Sequence, residues 1–200
     1  MVGHRQPLAM QPLTGAPFSF DPGARCLELG YTGGEGELAV YEKLHGPADL
    51  AAWLRDHVGA EVAQVDDHDL AAAKRLRTAI WRCADARAAR EALPAAAVDE
   101  INRAAAHPPL VPRIDARHAR ALAVPVSAGQ VLSTLARDAV DLFTGPMAGR
   151  IRRCAGTNCP LVFVDMSRPG RRRWCAMERC GNRAKASAFR NRHRHGGPPS

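Results

Sequence analysis

Four cysteines near the end of the chain, Cys154, Cys159, Cys175 and Cys180, restrict what it can fold into more than any other feature. Four residues separate the members of each pair, and fifteen lie between the pairs. Two short loops that each return two sulfurs to one point are what a tetrahedral thiolate site needs, with Zn–S distances of about 2.3 Å. An iron–sulfur cluster, two disulfides or four unrelated thiols use the same residue type, but the surrounding residues favour zinc. With protein sulfur at all four positions no open one remains for an activated water, so the expected Zn2+ is single and structural. Chelation is expected to unfold so small a unit.

The charge is divided at the same place. Residues 147–200 hold 13 basic and 2 acidic residues, whereas the rest of the chain is −3, so the net +8 belongs to the cysteine-bearing segment. A block of this kind points to a polyanionic partner. Cys26 and Cys83 occupy apolar positions elsewhere and read as buried fillers. Prolines and glycines without an apolar run mark residues 1–17 as a loose leader, and the cysteine usage suits a reducing, cytoplasmic compartment. No run approaches the roughly 18–20 apolar residues of a membrane span, so no membrane partner is expected.

The first 146 residues read as an α+β unit, mainly helical with a small antiparallel sheet. Phe18–Phe20, Arg25–Thr32 and Glu37–Lys43 look like strands, the last two joined by a Gly33-Gly34-Glu35-Gly36 turn. Helices are expected from Pro47 to a stop at Gly59, from Asp67 to Arg90, from Pro94, and over Gln130–Phe143, where apolar residues recur at spacings of three and four. Leu110–Ile114 and Ala119–Val126 form a second candidate strand pair. Gly145-Pro146 ends the last helix where the charge changes sign, dividing the chain into leader 1–17, domain 18–146, zinc module 147–195 and disordered tail 196–200.

Within the module, Leu161–Val164 and Arg172–Trp174 are expected to pair as a hairpin, and residues after Cys180 to form a helix whose positive end stabilises a thiolate. The order knuckle, hairpin, knuckle, helix is treble-clef-like. At about 100° per residue, Arg183, Ser187, Arg190 and Arg194 share one line of this helix, and Ala186, Phe189 and His193 another, suited to packing on the hairpin. The cationic row, together with Lys185 and with Arg168, Arg171, Arg172 and Arg173 on the hairpin, suits phosphates at the edge of a DNA groove. A solvated arginine-rich tail is the bland alternative.

These residues also carry a resemblance. Cys154-Ala155 through Cys159, Phe163-Val164-Asp165-Met166-Ser167-Arg168, Arg172-Arg173-Trp174-Cys175-Ala176-Met177 and Cys180-Gly181-Asn182-Arg183-Ala184-Lys185 resemble the CGNR zinc finger. In that family the finger follows an N-terminal ABATE domain, and the proteins are described as stress-induced bacterial transcription regulators. Residues 18–145 are similar in layout, through Cys26-Leu27-Glu28-Leu29, Trp53-Leu54, Leu76-Arg77-Thr78-Ala79-Ile80 and Ile101-Asn102. The resemblance implies zinc binding through the four cysteines and DNA binding. One departure stands out: Tyr31-Thr32 occupies the positions where the family usually has Asn-Thr.

Other motifs have plainer readings. Asp66-Asp67-His68-Asp69 could pass for metal ligands but lies where a helix begins, so capping is expected. No nucleophile–base set or convergent carboxylate pair can be assembled, so an enzyme is not expected. Two function classes remain. One is a nucleoid-associated regulator that binds duplex DNA through the finger, its larger domain sensing a small-molecule effector or forming a homodimer. The other is a zinc-stabilised module for RNA or protein.

Overall fold

In a computed structural model, residues 7–11, 16–59 and 61–195 are described, without the side chains of 58 and 192–195. Three helices form the frame: α3 (Asp67–Ala89), α4 (Ala95–Ala105) and α5 (Ala128–Thr144) pack on one another, and α2 (Pro47–Val58) lies against α3 and α5. Their ends follow the sequence signals. The Asp66 carboxylate accepts from the Asp69 amide at 2.9 Å, so capping is what this acidic cluster does. Ser127 and Gln130 form the same reciprocal box at the start of α5, and Gly59 closes α2 in the left-handed conformation. The expected second strand pair is present but short, with β3 (Pro112–Ile114) antiparallel to β4 (Arg120–Leu122).

The first part of the domain departs from expectation. Residues 25–30 are a helix, α1, not a strand: Cys26, Leu27, Leu29 and Gly30 are all buried, a stripe that alternation cannot produce. The Cys26 amide at its start donates to Asp138 of α5 at 2.8 Å. Residues 36–41 form a 3-10 turn with Leu38 and Tyr41 buried at a spacing of three, so the glycine cluster is not a hairpin turn. Gly33 is required there, because at φ +138° a Cβ would lie 2.7 Å from the Glu42 Cα. Glu42 in turn receives both Arg77 Nη atoms, at 2.9 and 2.8 Å, beneath that turn. The strand Phe18–Phe20 (β2) does exist, but its partner is β1 (Leu8–Met10), inside the expected leader. Met10 is fully buried, which explains why this part of the leader is held.

The zinc module is corrected in one respect. Val162–Val164 (β6) pairs with β5 (Ile151–Arg153), in register Ile151↔Val164, and not with residues 172–174. The first cysteine pair therefore sits at the tip of this hairpin. Residues 165–172 instead fold around Asp165: its fully buried carboxylate accepts from the Ser167 amide, the Ser167 hydroxyl and the Arg172 amide. Burial opposes its ionisation, but these hydrogen bonds outweigh burial and hold the carboxyl below its usual range.

Of the hairpin, β6 is buried along its whole length and β5 at Ile151, and the pair packs on α3 in one continuous apolar core with the helices. Its attachment uses backbone as well as side chains. The Val164 amide donates to the Pro22 carbonyl at 2.9 Å, and Gly23 (φ +82°) is pressed so close that a Cβ would lie 2.6 Å from the Val164 oxygen. Tyr31 completes the joint. Its hydroxyl donates to the Val162 carbonyl and accepts from the Val162 amide at 2.8 Å, and its ring meets Phe20 edge to face at 5.0 Å. The residue at the family's Asn position thus pairs α1 to the finger.

Candidate metal centre and nucleic-acid interface

The hairpin tip delivers Cys154 and Cys159; the second pair comes from an irregular segment and a π-helical turn, Met177–Gly181, that leads directly into α6 (Asn182–His195). Cys180 therefore lies at a helix start, as its sequence position suggests. All four sulfurs are buried and lie within 4.8 Å of one another. A tetrahedron with Zn–S bonds of about 2.3 Å has S–S edges of about 3.8 Å. Cys159 and Cys175 are separated by 3.8 Å, and Cys175 and Cys180 by 3.6 Å. The donor set and the spacing fit one structural zinc ion.

The chemistry of the sulfurs agrees. Hydrogen bonds from Cys159 and Cys175 draw the Cys154 thiol far down, while the same contacts push Cys159 and Cys175 up. A bound dication favours the deprotonated form of every sulfur that ligates it. Cys154 is further prepared as a ligand by the amides of Gly156 and Cys175, which approach its sulfur at 3.4 and 3.3 Å. Gly156 is itself a close-approach residue: a Cβ would lie 2.7 Å from the Cys180 sulfur. A glycine between two cysteines separated by four residues is the sequence cue for this.

One side of the finger is docked on the N-terminal domain. Glu178 accepts from the Ser19 amide at 2.6 Å, and Arg179 stacks over Phe18 at 4.4 Å while donating to the Tyr41 hydroxyl at 3.2 Å. Arg172 belongs to this side too, which changes its expected role. Its guanidinium lies 4.1 Å over Phe163 and donates to the carbonyls of Asp21, Trp174 and Cys175. It is a structural clamp between the second knuckle and the N-terminal domain, and its donors face carbonyls instead of a phosphate. Local sequence signals do not single out Glu178 or Arg179, because their partners lie more than a hundred residues away.

The opposite side is open. From Lys185 to Asn191 every residue of α6 is exposed. Ala186 and Phe189 are therefore not packed away as their spacing suggested, and Phe189 retains 56% of its accessible surface. The π-helical turn leads directly into α6 and packs closely, since a Cβ on Gly181 would press on Met177 and Trp174. Arg183, Ser187 and Arg190 come together on the inner wall of a 290 Å³ cleft whose other wall is Ala155, Gly156 and Thr157 of the first knuckle, with Cys180 at its base. Arg173 is tied to the first knuckle through its carbonyl, which accepts from the Ala155 amide at 2.9 Å, and its guanidinium stacks 5.0 Å over Trp174. Arg168 and Arg171 are exposed on the Asp165 loop, and Lys185 lies about 200° round the helix from Arg183, away from the cleft. The side chains of Arg194 and His193 lie outside the described residues.

A buried four-thiolate centre on a hairpin and a helix, joined to a helical domain, defines a zinc-finger protein of two parts. Residues 23–146 match the ABATE family, described as "Putative stress-induced transcription regulator", and residues 150–193 match the CGNR zinc finger. The chain belongs to the ABATE family, with a CGNR finger following the family domain. No curated protein matches it. Among the described residues, no helix is long and apolar enough to cross a membrane.

Proposed function

We propose that this protein is a transcription regulator that binds duplex DNA through the cleft between its first zinc knuckle and α6. The observation that carries the reading is the meeting of Arg183, Ser187 and Arg190 with the backbone of Ala155–Thr157. Two guanidiniums and a hydroxyl facing a short backbone segment, on a helix fixed by a metal, suit a phosphate at a groove edge. Arg168, Arg171 and Arg173 would extend the contact along the backbone of the duplex. Zinc has no catalytic part in this reading, the chain acts as a binder and not as an enzyme, and its working location is the nucleoid. The N-terminal domain is read as the sensor or dimerisation part, and 18–146 and 147–195 as the two functional units.

Fluorescence anisotropy with labelled duplexes tests this. Each phosphate neutralised steepens the log–log salt dependence by about 0.9, so Arg183→Ala/Arg190→Ala is expected to flatten it by about 1.8 while zinc content stays at one per chain. Absence of binding at low salt, or an unchanged slope in the double variant, refutes the reading. Enrichment of one motif from a random duplex pool distinguishes a regulator from a general polyanion binder, and a palindromic motif reveals a dimer. Tighter binding of structured RNA than of duplex DNA would favour the RNA module instead.

A further inference from the structure

Away from the finger, a 300 Å³ cleft opens where the first turns of α3 and α5 meet the last turns of α4. Its size is at the lower end of the range for small-molecule sites. The floor is apolar, formed by Ala72, Leu76, Ala104 and Leu132, and the mouth carries Arg75 and Arg103 together with His68 and His107. Three observations on this cleft converge.

Several acceptors on its wall are already engaged. Asp69 caps the Asp66 amide, Glu100 pairs with Arg103 and lies 3.7 Å from Arg75 Nε, and the Ser133 hydroxyl donates to the His107 carbonyl at 2.6 Å. The donors are not. A guanidinium has five N–H groups. Arg103 gives one to Glu100, and the contact of Arg75 with Glu100 is longer than a hydrogen bond, so the cleft presents more donors than acceptors. The third observation is Gly129, in the first turn of α5, a residue that helices in general disfavour. Nothing in the packing asks for it: a Cβ there would meet only the Ser127 hydroxyl, at 4.0 Å. Gly129 lines the cleft, and a side chain at this position would narrow it.

We infer that this cleft binds a small organic carboxylate, its apolar body on Leu76 and Leu132 and its carboxylate held by Arg75 and Arg103. This gives the sensor part of the proposed function a ligand class and rests on that reading only for its regulatory meaning. A consequence follows from α3, which lines the cleft at its start and carries β5 near its end, where Asp85 pairs with Arg153. One rigid helix thus touches both the ligand site and the finger.

The test uses the zinc-loaded full chain with benzoate, phenylacetate and hexanoate, against benzyl alcohol and acetate as partial mimics. At a tenfold excess over Kd a carboxylate with an apolar body is expected to raise Tm by about 3–5 °C. Gly129→Leu is expected to keep or raise the unliganded Tm and to abolish the response; Arg103→Gln is expected to weaken benzoate at least tenfold by calorimetry. No response to any of the three carboxylates, a response undiminished in both variants, or benzyl alcohol binding as tightly as benzoate would each overturn the inference. None of these readouts involves DNA, so their failure and failure of the DNA-binding reading are separately visible.

Discussion

Replacing Arg172 by Ala is expected to destabilise the whole chain and not to remove a surface contact. The guanidinium stacks on Phe163 at 4.1 Å and donates to Asp21 at 2.9 Å, Trp174 at 3.1 Å and Cys175 at 2.6 Å. A hydrogen bond from a charged donor contributes roughly 1.5–3 kcal/mol, but the side chain is only partly buried and the three bonds share one group, so about 3 kcal/mol is a reasonable sum. Stacking on Phe163 adds roughly 1 kcal/mol. In a chain of this length, a loss of about 4 kcal/mol lowers Tm by about 8–16 °C. Thermal unfolding followed by circular dichroism measures this, with Arg171→Ala, whose side chain is exposed, as the reference. Arg172→Lys is expected to recover only part of the loss, because an ammonium retains the charge over Phe163 but lacks the planar fork that reaches three carbonyls. Below the transition, Arg172→Ala should keep its zinc and bind DNA within about twofold of the parent. A Tm within about 2 °C of the parent, together with a DNA affinity reduced as in Arg183→Ala/Arg190→Ala, would show that Arg172 is a phosphate contact and that the clamp is incidental.

Tyr31→Phe deletes one oxygen and leaves the buried Val162 amide and carbonyl without their partner, which should cost about 2–4 kcal/mol in urea unfolding. Burial pushes the Tyr31 hydroxyl well above its ordinary value of about 10, so its contribution is complete below pH 10 and is lost as pH rises through and beyond that value; Tyr31→Phe should remove this part of the alkaline decline. Gly156→Ala forces a methyl to 2.7 Å from the Cys180 sulfur, and competition with a chromogenic chelator should show zinc affinity reduced at least tenfold. Stripping zinc with a strong chelator should unfold residues 165–195 first, seen as loss of amide-exchange protection there while α3, α4 and α5 keep theirs.

What could be read from the sequence follows from the range of the interactions involved. The helices α2 to α5 announce themselves because caps such as Asp66 and Ser127 and apolar spacings of three and four act within one or two turns. The zinc ligands are readable for the same reason, since each pair closes a loop of six residues. The segment Arg25–Tyr41 misleads because Leu27 and Leu29 alternate like a half-buried strand, while the neighbour that makes Cys26 an inward position, Asp138, lies 112 residues away. The hairpin error has a similar cause. Arg172–Trp174 has strand-like composition beside an apolar run, yet the Arg172 amide is claimed by Asp165 and its guanidinium by carbonyls, and the true partner, Ile151–Arg153, is disguised by two arginines.

That disguise bears on how the charge should be understood. Arg153 pairs with Asp85, Arg172 clamps Asp21 and Arg179 lies on Phe18, so part of the +11 of the module holds the finger to the mildly acidic domain. A finger fixed at its hairpin, at Arg172 and at its second knuckle has little freedom left. The exposed cations, Arg168, Arg171, Arg173, Arg183, Lys185 and Arg190, are therefore carried on a finger that is anchored to the N-terminal domain. For a polyanion this is preorganisation, since less ordering remains to be done on binding. For the N-terminal domain it means that the hairpin carrying the first knuckle rests directly on α3.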